Sequence, residues 1–316
     1  MATAFSPSGS VTTTTAANFI PEIWSDEIVA AYKKNLVMAN LVMKMNFKGK
    51  KGDTVHIPAP TRGSASAKAA ETAVTLIAAT ESEVQVSINK HYEYSRLIED
   101  IVEAQALNSM RQFYTSDAGY ALARQVDTDL IQLGRSANGG TAGSAAYAAA
   151  YIGGDGTTAY VAASNNESAL TDAAIRRTIQ RLDDNDTPMD QRFFLIPPSS
   201  RNTLMGLARY TEQAFVGTGD AIRTGEIGNL YGIPVFVSSN ADTTSGSGAA
   251  RVCLMGHRDA MVLVEQVAVR SQIQYKQEYL ATLFTSDTLY GVAALRSAAT
   301  TGAAKSSSFF ALAVPA

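Results

Sequence analysis

Gly228-Asn229-Leu230-Tyr231-Gly232-Ile233-Pro234-Val235-Phe236-Val237-Ser238 closes a run of glycines that begins at Gly217 and opens an apolar strand at 233–237. Glycine supplies flexible turns, and a short β-branched and aromatic run bounded by turn signals predicts a strand. Upstream, Phe193-Leu195-Ile196 belong to a fully apolar strand at 193–196, stopped by Pro197-Pro198, after which Ser199 is expected to cap a short helix. Before that strand, Leu170 to Leu182 predicts a helix with Ile175, Ile179 and Leu182 on one face. Downstream, Val252-Cys253-Leu254-Met255 is apolar on both sides. Val267, Val269, Ile273 and Tyr275 then alternate with Arg270, Gln272, Gln274 and Lys276, the pattern of a half-exposed strand. A strand near 288–296 and a tail of small residues complete this half.

The first 18 residues are Ser, Thr, Ala and Gly-rich and carry no charge, so they bury too little to offset ordering entropy. At Phe19-Ile20-Pro21-Glu22-Ile23-Trp24 the composition changes, and a helix over about 22–34 is expected. Leu36 to Phe47 is apolar enough to lie on another surface. Residues 48–93 read as a long two-stranded finger. Thr54-Val55-His56-Ile57-Pro58 forms one strand, the alternation of Val84, Val86 and Ile88 the other, and the small, basic stretch 61–70 the tip. An isolated hairpin is marginal in water, so this one must lie on something, and a neighbouring subunit is a natural candidate. From Leu97 to about Gly134 there is no proline, and Ile98, Val102, Ala106, Met110, Phe113, Tyr120, Val126, Leu130 and Leu133 predict one long helix, with Gly119 a weak point. Residues 137–164 are Ala/Gly-rich and poorly specified. Helices and strands mix without a βαβ rhythm, so the class is α+β.

Several functions are excluded early. With 46% hydrophobic and 17% charged residues the chain is globular and under-charged for a monomer, a hint of surface covered by neighbours. A net charge of −3 lacks the basic excess of a nucleic-acid reader. No uncharged stretch spans a bilayer, and the uncharged start lacks the basic end of a secretory signal. A single cysteine, Cys253, forbids an internal disulfide and fits a reducing place of folding.

Chemistry-bearing residues are sparse. His56, His91 and His257 are scattered, with no i, i+4 pair for zinc. Cys253 sits among Val, Leu and Met, the opposite of the electropositive setting that activates a thiolate. Gly153-Gly154-Asp155-Gly156 and Gly217-Thr218-Gly219-Asp220 lack the Gly-Lys-Ser/Thr ending of a phosphate loop and read as turns. Asp183, Asp184 and Asp186 do not have EF-hand spacing and read as a solvated helix end. No catalytic, metal-binding or cofactor-binding residue is expected, and no enzymatic activity.

In their order these parts resemble the major capsid proteins of tailed bacteriophages, with the Hong Kong 97 capsid fold that encapsulin compartments share. The resemblance rests on Pro21-Glu22-Ile23-Trp24, on Lys50-Lys51-Gly52-Asp53-Thr54-Val55-His56-Ile57-Pro58 opening an extended loop, and on the long helix. The stretch 228–238 carries it most specifically, followed by Gly256-His257-Arg258-Asp259-Ala260 and Tyr290-Gly291-Val292. It implies an N-terminal arm (1–47), an extended loop (48–93), a peripheral domain with a spine helix (94–167 and 266–298), an axial domain (168–265) and a tail (299–316). The axial domain's glycine-rich loop near 211–226 would point to the capsomer centre. It implies pentamers and hexamers in an icosahedral virion shell enclosing double-stranded DNA without sequence-specific binding, assembled in the host bacterial cytoplasm, away from membranes. Portal and decoration proteins are implied partners. Because Met1 begins only about 20 residues before the arm, a separate scaffolding protein is expected. An encapsulin-like compartment shell is the alternative. Some relatives cross-link a loop lysine to a neighbour; Lys68 lies at a suitable place, with no further signal for the reaction.

Charge adds an expectation about contacts. Residues 48–68 carry a net +4, from Lys48, Lys50, Lys51, Arg62 and Lys68 against Asp53. Residues 71–103 carry a net −5, with Glu99, Asp100 and Glu103 at the expected start of the long helix. The basic loop is expected to lie on a neighbour's acidic surface, and Trp24 is expected either to anchor a subunit contact or to pack on its own core.

Overall fold

The computed structural model describes residues 36–58, 65, 67–74, 76, 83–101, 110–136, 151–161, 164, 166–207, 228–241, 250–295, 297–298, 305–306 and 308–315. The expected arm helix, the hairpin tip at 61–64 and the loop at 211–226 lie outside these residues.

In chain order the first elements are α1 (Met38–Leu41), β1 (Met43–Asn46), β2 (Thr54–Pro58), β3 (Glu83–Ser87), β4 (Lys90–Glu99) and α2 (Met110–Ser136). Then come β5 (Tyr151–Ile152), α3 (Asp172–Asp184), β6 (Arg192–Ile196), α4 (Pro198–Met205), β7 (Asn229–Leu230) and β8 (Ile233–Val237). The last are β9 (Arg251–His257), β10 (Met261–Lys276), β11 (Ala281–Ala294), β12 (Ser297–Ala298), β13 (Lys305–Ser306) and β14 (Phe309–Val314). Two larger sheets organise them, in the orders β5-β14-β9-β6-β8-β7 and β1-β10-β11-β4.

The six-stranded sheet is buried on both faces, which explains its continuous apolar runs. Along β6, β9 and β14 the side chains divide by turns between two cores. Phe193, Leu195, Val252, Leu254, Phe309 and Ala311 pack with Leu130 and Ile131 of α2. Phe194, Ile196, Cys253, Met255, Phe310 and Leu312 pack with Ile175 and Leu182 of α3 and Leu204 of α4. Helix α3 starts where Thr171 accepts the Ala174 N–H, a side-chain cap.

In the four-stranded sheet β1 runs parallel to the start of β10, and β10, β11 and β4 are antiparallel. Helix α2 is tied to one face by Tyr94 and Tyr290, whose hydroxyls donate to Asp117 and Asp129. On the other face the β2–β3 hairpin brings Val55, Val86 and Ile88 onto Val262 and Val264, so its base rests on its own chain.

Four expectations need correction. The long helix does not begin at Leu97: residues 97–99 close β4, pairing with 281–283 of β11, and the helix spans 110–136, running unbroken through Gly119. Ile98 satisfies a helical stripe and a strand face equally, and pairing with β11 decides between them. Ser199 does not cap α4; Pro197 is the capping residue, Pro198 takes the first turn, and the Ser199 hydroxyl donates to Pro315 O at 3.0 Å. The tail is not merely small residues, because Phe309–Val314 is a fully buried strand between β5 and β9. Finally, Val267 does not share a face with Ile273 and Tyr275. Register shifts between Glu265 and Arg270 set Val267 opposite Leu289, whereas Ile273 and Tyr275 lie opposite Phe284 and Thr282, on the other face. An extra residue in one strand reverses the alternation beyond it.

Candidate functional surfaces

Strand β9 places Cys253 in the core, where burial pushes its thiol up to about 12 and its sulfur contacts the Ser200 hydroxyl at 3.4 Å. A thiol held protonated is no nucleophile. The histidines stand on three separate elements. His56 meets Glu83 across the exposed hairpin at 3.0 Å, and His91 meets Asp287 at 3.2 Å. His257 is buried, its Nδ1 accepting from the Asp259 N–H at 3.1 Å. Among the described residues no group of three or more His, Cys, Asp or Glu could hold a metal. Asp183 receives the buried Arg192 guanidinium at 2.7 Å, so this acid locks the α3–β6 turn. Among the described residues no helix is long and apolar enough to cross a membrane.

Buried polar groups instead join the two sheets to α2. Asp127 is 1% exposed. Its Oδ1 accepts the N–H groups of Val37 and Met38 at 3.2 and 2.8 Å, and its Oδ2 accepts from Asn240 Nδ2 at 2.9 Å. One carboxylate thereby clips the start of α1 and the segment after β8 to the spine helix. Burial raises its affinity for a proton, against the pull of the three donors. Two residues along, Asp129 accepts from Tyr290 at 2.8 Å and pairs with Lys90 at 3.0 Å, fastening α2 to β4 and β11. On the far face of the sheet, Arg270 grips Asp287 with two bonds of 2.8 and 2.9 Å; that grip, helped by His91, holds the Asp287 carboxyl below its usual range. None of these clips was read from the sequence. The signal available was a pair of acids, Asp127 and Asp129, inside an otherwise apolar helix stripe.

The outer surface carries the expected contact residues only in part. Trp24, Arg62 and Glu103 lie outside the described residues. Lys50, Lys51 and Lys68 are exposed. Lys50 sits in the β1–β2 turn, over the Phe47 ring, with Gln266 donating to its carbonyl. Glu99 and Asp100 are exposed at the end of β4, where Asp100 accepts from Tyr275 at 2.7 Å. The structure does not bring the two charged groups together. Gln266 lies on β10 well before its last residue, Lys276, which stands opposite Ala281 and so in one row with Glu99, two strands away. At the rise of an extended strand that separation is roughly 30 Å. The acidic end also exposes apolar side chains that the sequence reading missed: Tyr279 and Leu280 in the β10–β11 turn, with Leu97, Ile101, Ile273 and Tyr275 around it.

The described residues combine two core-forming sheets, a long helix and a hairpin, and Asp127, Asp129, Asp287 and the three histidines are engaged in contacts within the chain. The phage capsid protein family matches residues 36–301, and the chain belongs to that family. The resemblance to tailed-phage major capsid proteins thus holds in sequence, and that to the Hong Kong 97 fold in structure. A chain of Mycobacterium phage Che8 is similar, with 21% identity, a TM-score of 0.73 and coverage of 93% of this chain and 97% of that one. A chain from the capsid of cyanophage P-SCSP1u gives 19% identity, a TM-score of 0.74 and 98% coverage of both. One from the mature capsid of bacteriophage PhiM1 gives 13%, 0.67, and 93% and 92%. No curated protein sequence matches the chain significantly. The chain is thus a structural protein of the phage capsid.

Proposed function

We propose that the chain is the principal subunit of an icosahedral phage head, tiling as pentamers and hexamers around double-stranded DNA. It assembles in the bacterial cytoplasm on a separate scaffolding protein, with a portal and any decoration protein added to the shell. Its division follows the sequence reading: arm 1–47, extended loop 48–93, peripheral domain 94–167 and 266–298, axial domain 168–265, and tail 299–316. The six-stranded sheet holds the axial strands β6 to β9 together with β5 of the peripheral span and Phe309–Val314 of the tail, while β4 and β10 of the four-stranded sheet cross the proposed boundaries at 93/94 and 265/266.

The observation that carries the reading is the separation of unlike surfaces. The basic turn at Lys50-Lys51 and the acidic, apolar end of the β10–β11 ribbon cannot meet within one subunit. Across a boundary between subunits they can. A single exposed pair contributes only about 0–1 kcal/mol, but a shell repeats each contact at every boundary. The DNA is enclosed rather than read, consistent with the net charge of −3.

The test is co-expression with scaffold, followed by sedimentation and electron microscopy across ionic strengths. The natural chain is expected to give closed particles. The variant Lys50→Glu/Lys51→Glu/Lys68→Glu is expected to assemble poorly at low salt and to recover partly near 1 M, where the Debye length is about 3 Å. Only monomers under every condition would refute the shell reading. Particles with identical yields for both chains would leave the shell but remove the charged contact.

A further inference from the structure

Strand β10 carries an extra residue at Gln266: Glu265 stands opposite Tyr290 and Val267 opposite Leu289, so Gln266 is matched by no residue of β11. The pairing with β1 stops at the same place, where Asn46 meets Glu265. A bulge of this kind re-aims a side chain, and here it aims an amide. Gln266 Nε2 donates to Lys50 O at 2.9 Å and to Gly52 O at 3.0 Å, residues 216 and 214 positions away. The link it grips carries the chain from β1 into the β2–β3 hairpin. Gly49 and Gly52 both have positive φ there, +81° and +138°, with open space where a side chain would stand. Glycine serves that link for the backbone it allows, and such a backbone is loose unless held. Directly after it, the Ile88 N–H donates to Asp53 O at 2.7 Å and the hairpin begins.

The hairpin base has a second hold. Val55, Val86 and Ile88 rest on Val262 and Val264, and Ser87 O lies so close over Gly291 that a Cβ there would run into it. Apolar contact is non-directional, so this hold keeps the base on the sheet and still lets it pivot. Two hydrogen bonds from one planar amide, to carbonyls on either side of the Lys51-Gly52 backbone, remove the pivot. We propose that Gln266 is a positioning residue for assembly: its amide sets the direction in which the β2–β3 hairpin leaves the sheet, and with it the angle at which one subunit meets the next. The effect on particles rests on the shell reading, whereas the hold on the hairpin does not. An error of direction repeated at every boundary alters curvature, so losing the amide shows in the spread of particle sizes and not in the stability of the six-stranded sheet.

The test compares Gln266→Met, which keeps the length and loses both donors, with Gln266→Lys, which can donate again. In the unassembled full-length subunit, Gln266→Met is expected to speed hydrogen exchange of residues 54–58 and of Ile88 by about tenfold. Residues 193–196 and 252–255 should exchange as before, and Gln266→Lys should stay near the natural rate. Co-expressed with scaffold, the natural chain and Gln266→Lys are expected to give particles of one diameter by electron microscopy, and Gln266→Met a spread of diameters. Should Gln266→Met not fold, Gln266→Ser, too short to reach either carbonyl, is read in the same way. Unchanged exchange at the hairpin refutes the hold, whatever particles form. Faster exchange throughout, core strands included, also refutes it, because the amide would then be merely structural. Faster hairpin exchange with particles of one diameter refutes the role in assembly. If the natural chain gave no particles while exchange behaved as expected, the hold on the hairpin would stand and the shell reading would fall.

Discussion

Replacing Asp127 tests the internal clip most directly, because its three acceptor bonds are all to N–H groups. In Asp127→Ala the donors of Val37, Met38 and Asn240 lose their acceptor at a site 1% exposed. A buried donor left unmade costs about 1–3 kcal/mol. The Val37 bond is only partly buried and lies at the low end, so the sum is about 3–7 kcal/mol. That is a large share of the 5–15 kcal/mol that holds a typical domain folded. Asp127→Asn behaves differently. Its carbonyl still accepts from both backbone groups, and Asn240, turned end over end, can present its own carbonyl to the new amide. The expected cost is about 1 kcal/mol. Urea unfolding of the unassembled subunit measures both, at matched m-values. The pH dependence adds a sign. Burial raises the native carboxyl above its ordinary value of 3.8. Stability linked to that proton is therefore fully present below 3.8 and is lost as pH rises through the higher native value. Asp127→Asn has no such proton, so it should gain on the natural chain as pH rises through that window. Equal losses for Ala and Asn, or a loss below 1 kcal/mol for Ala, would refute the clip.

Three further outcomes are expected. Gly256→Ala would drive a Cβ into the Phe309 ring in the doubly buried sheet, costing about 1–3 kcal/mol by overpacking, and Phe309→Leu should recover part of it in thermal melts. Cys253, with its thiol raised to about 12, should resist iodoacetamide at pH 8.5 in native particles and react fully in urea; rapid native labelling would contradict its burial. Asp287 is held below 3.8 mainly by Arg270, so its contribution is present above 3.8 and lost as pH falls through the lower native value. The natural chain should therefore lose its margin over Asp287→Asn on acidification, measured as melting temperature against pH; a margin that widened in acid would refute the pair.

The parts of this fold legible in the sequence are those whose period is unambiguous. Residues 193–196 and 252–255 are apolar without interruption because both faces of their sheet are covered, and length together with Pro197 marks the first as a strand. Ile175, Ile179 and Leu182 mark α3 because a single face of that helix is covered. Where two periods coincide the reading fails, as at Ile98. It fails too where a bulge reverses the alternation, as between Glu265 and Arg270, because the inserted residue leaves no mark in composition. Strand β14 is hidden in the sequence by its alanines, Ala311 and Ala313, which are fully buried but carry little apolar signal. The internal clips were illegible for another reason: Asp127 meets Asn240 across 113 positions, and no local pattern announces such a pair.

The contrast between the sheets suggests how such a subunit stays folded while remaining ready to assemble. In the six-stranded sheet the runs of β6, β9 and β14 are saturated on both faces by α2, α3 and α4, so little is left for a neighbour to add. Strand β10 is different along its length. Its first residues are covered by β1, but that pairing ends at Glu265, and beyond it β10 has no strand partner besides β11 among the described residues and exposes side chains at Val269, Ile273 and Tyr275. A long flat apolar edge invites indiscriminate pairing. Here the register shifts before Arg270 break the edge into two short stretches, and Arg270 and Lys276 place charge on the second. These features discourage random strand addition while leaving the faces of the ribbon free. A contact that comes from a face and a loop, not from an edge, depends on shape and charge, and so selects a copy of the same chain in one orientation. On the proposed shell reading, the tightly packed half would supply stability to the monomer and the less saturated half the specificity of assembly.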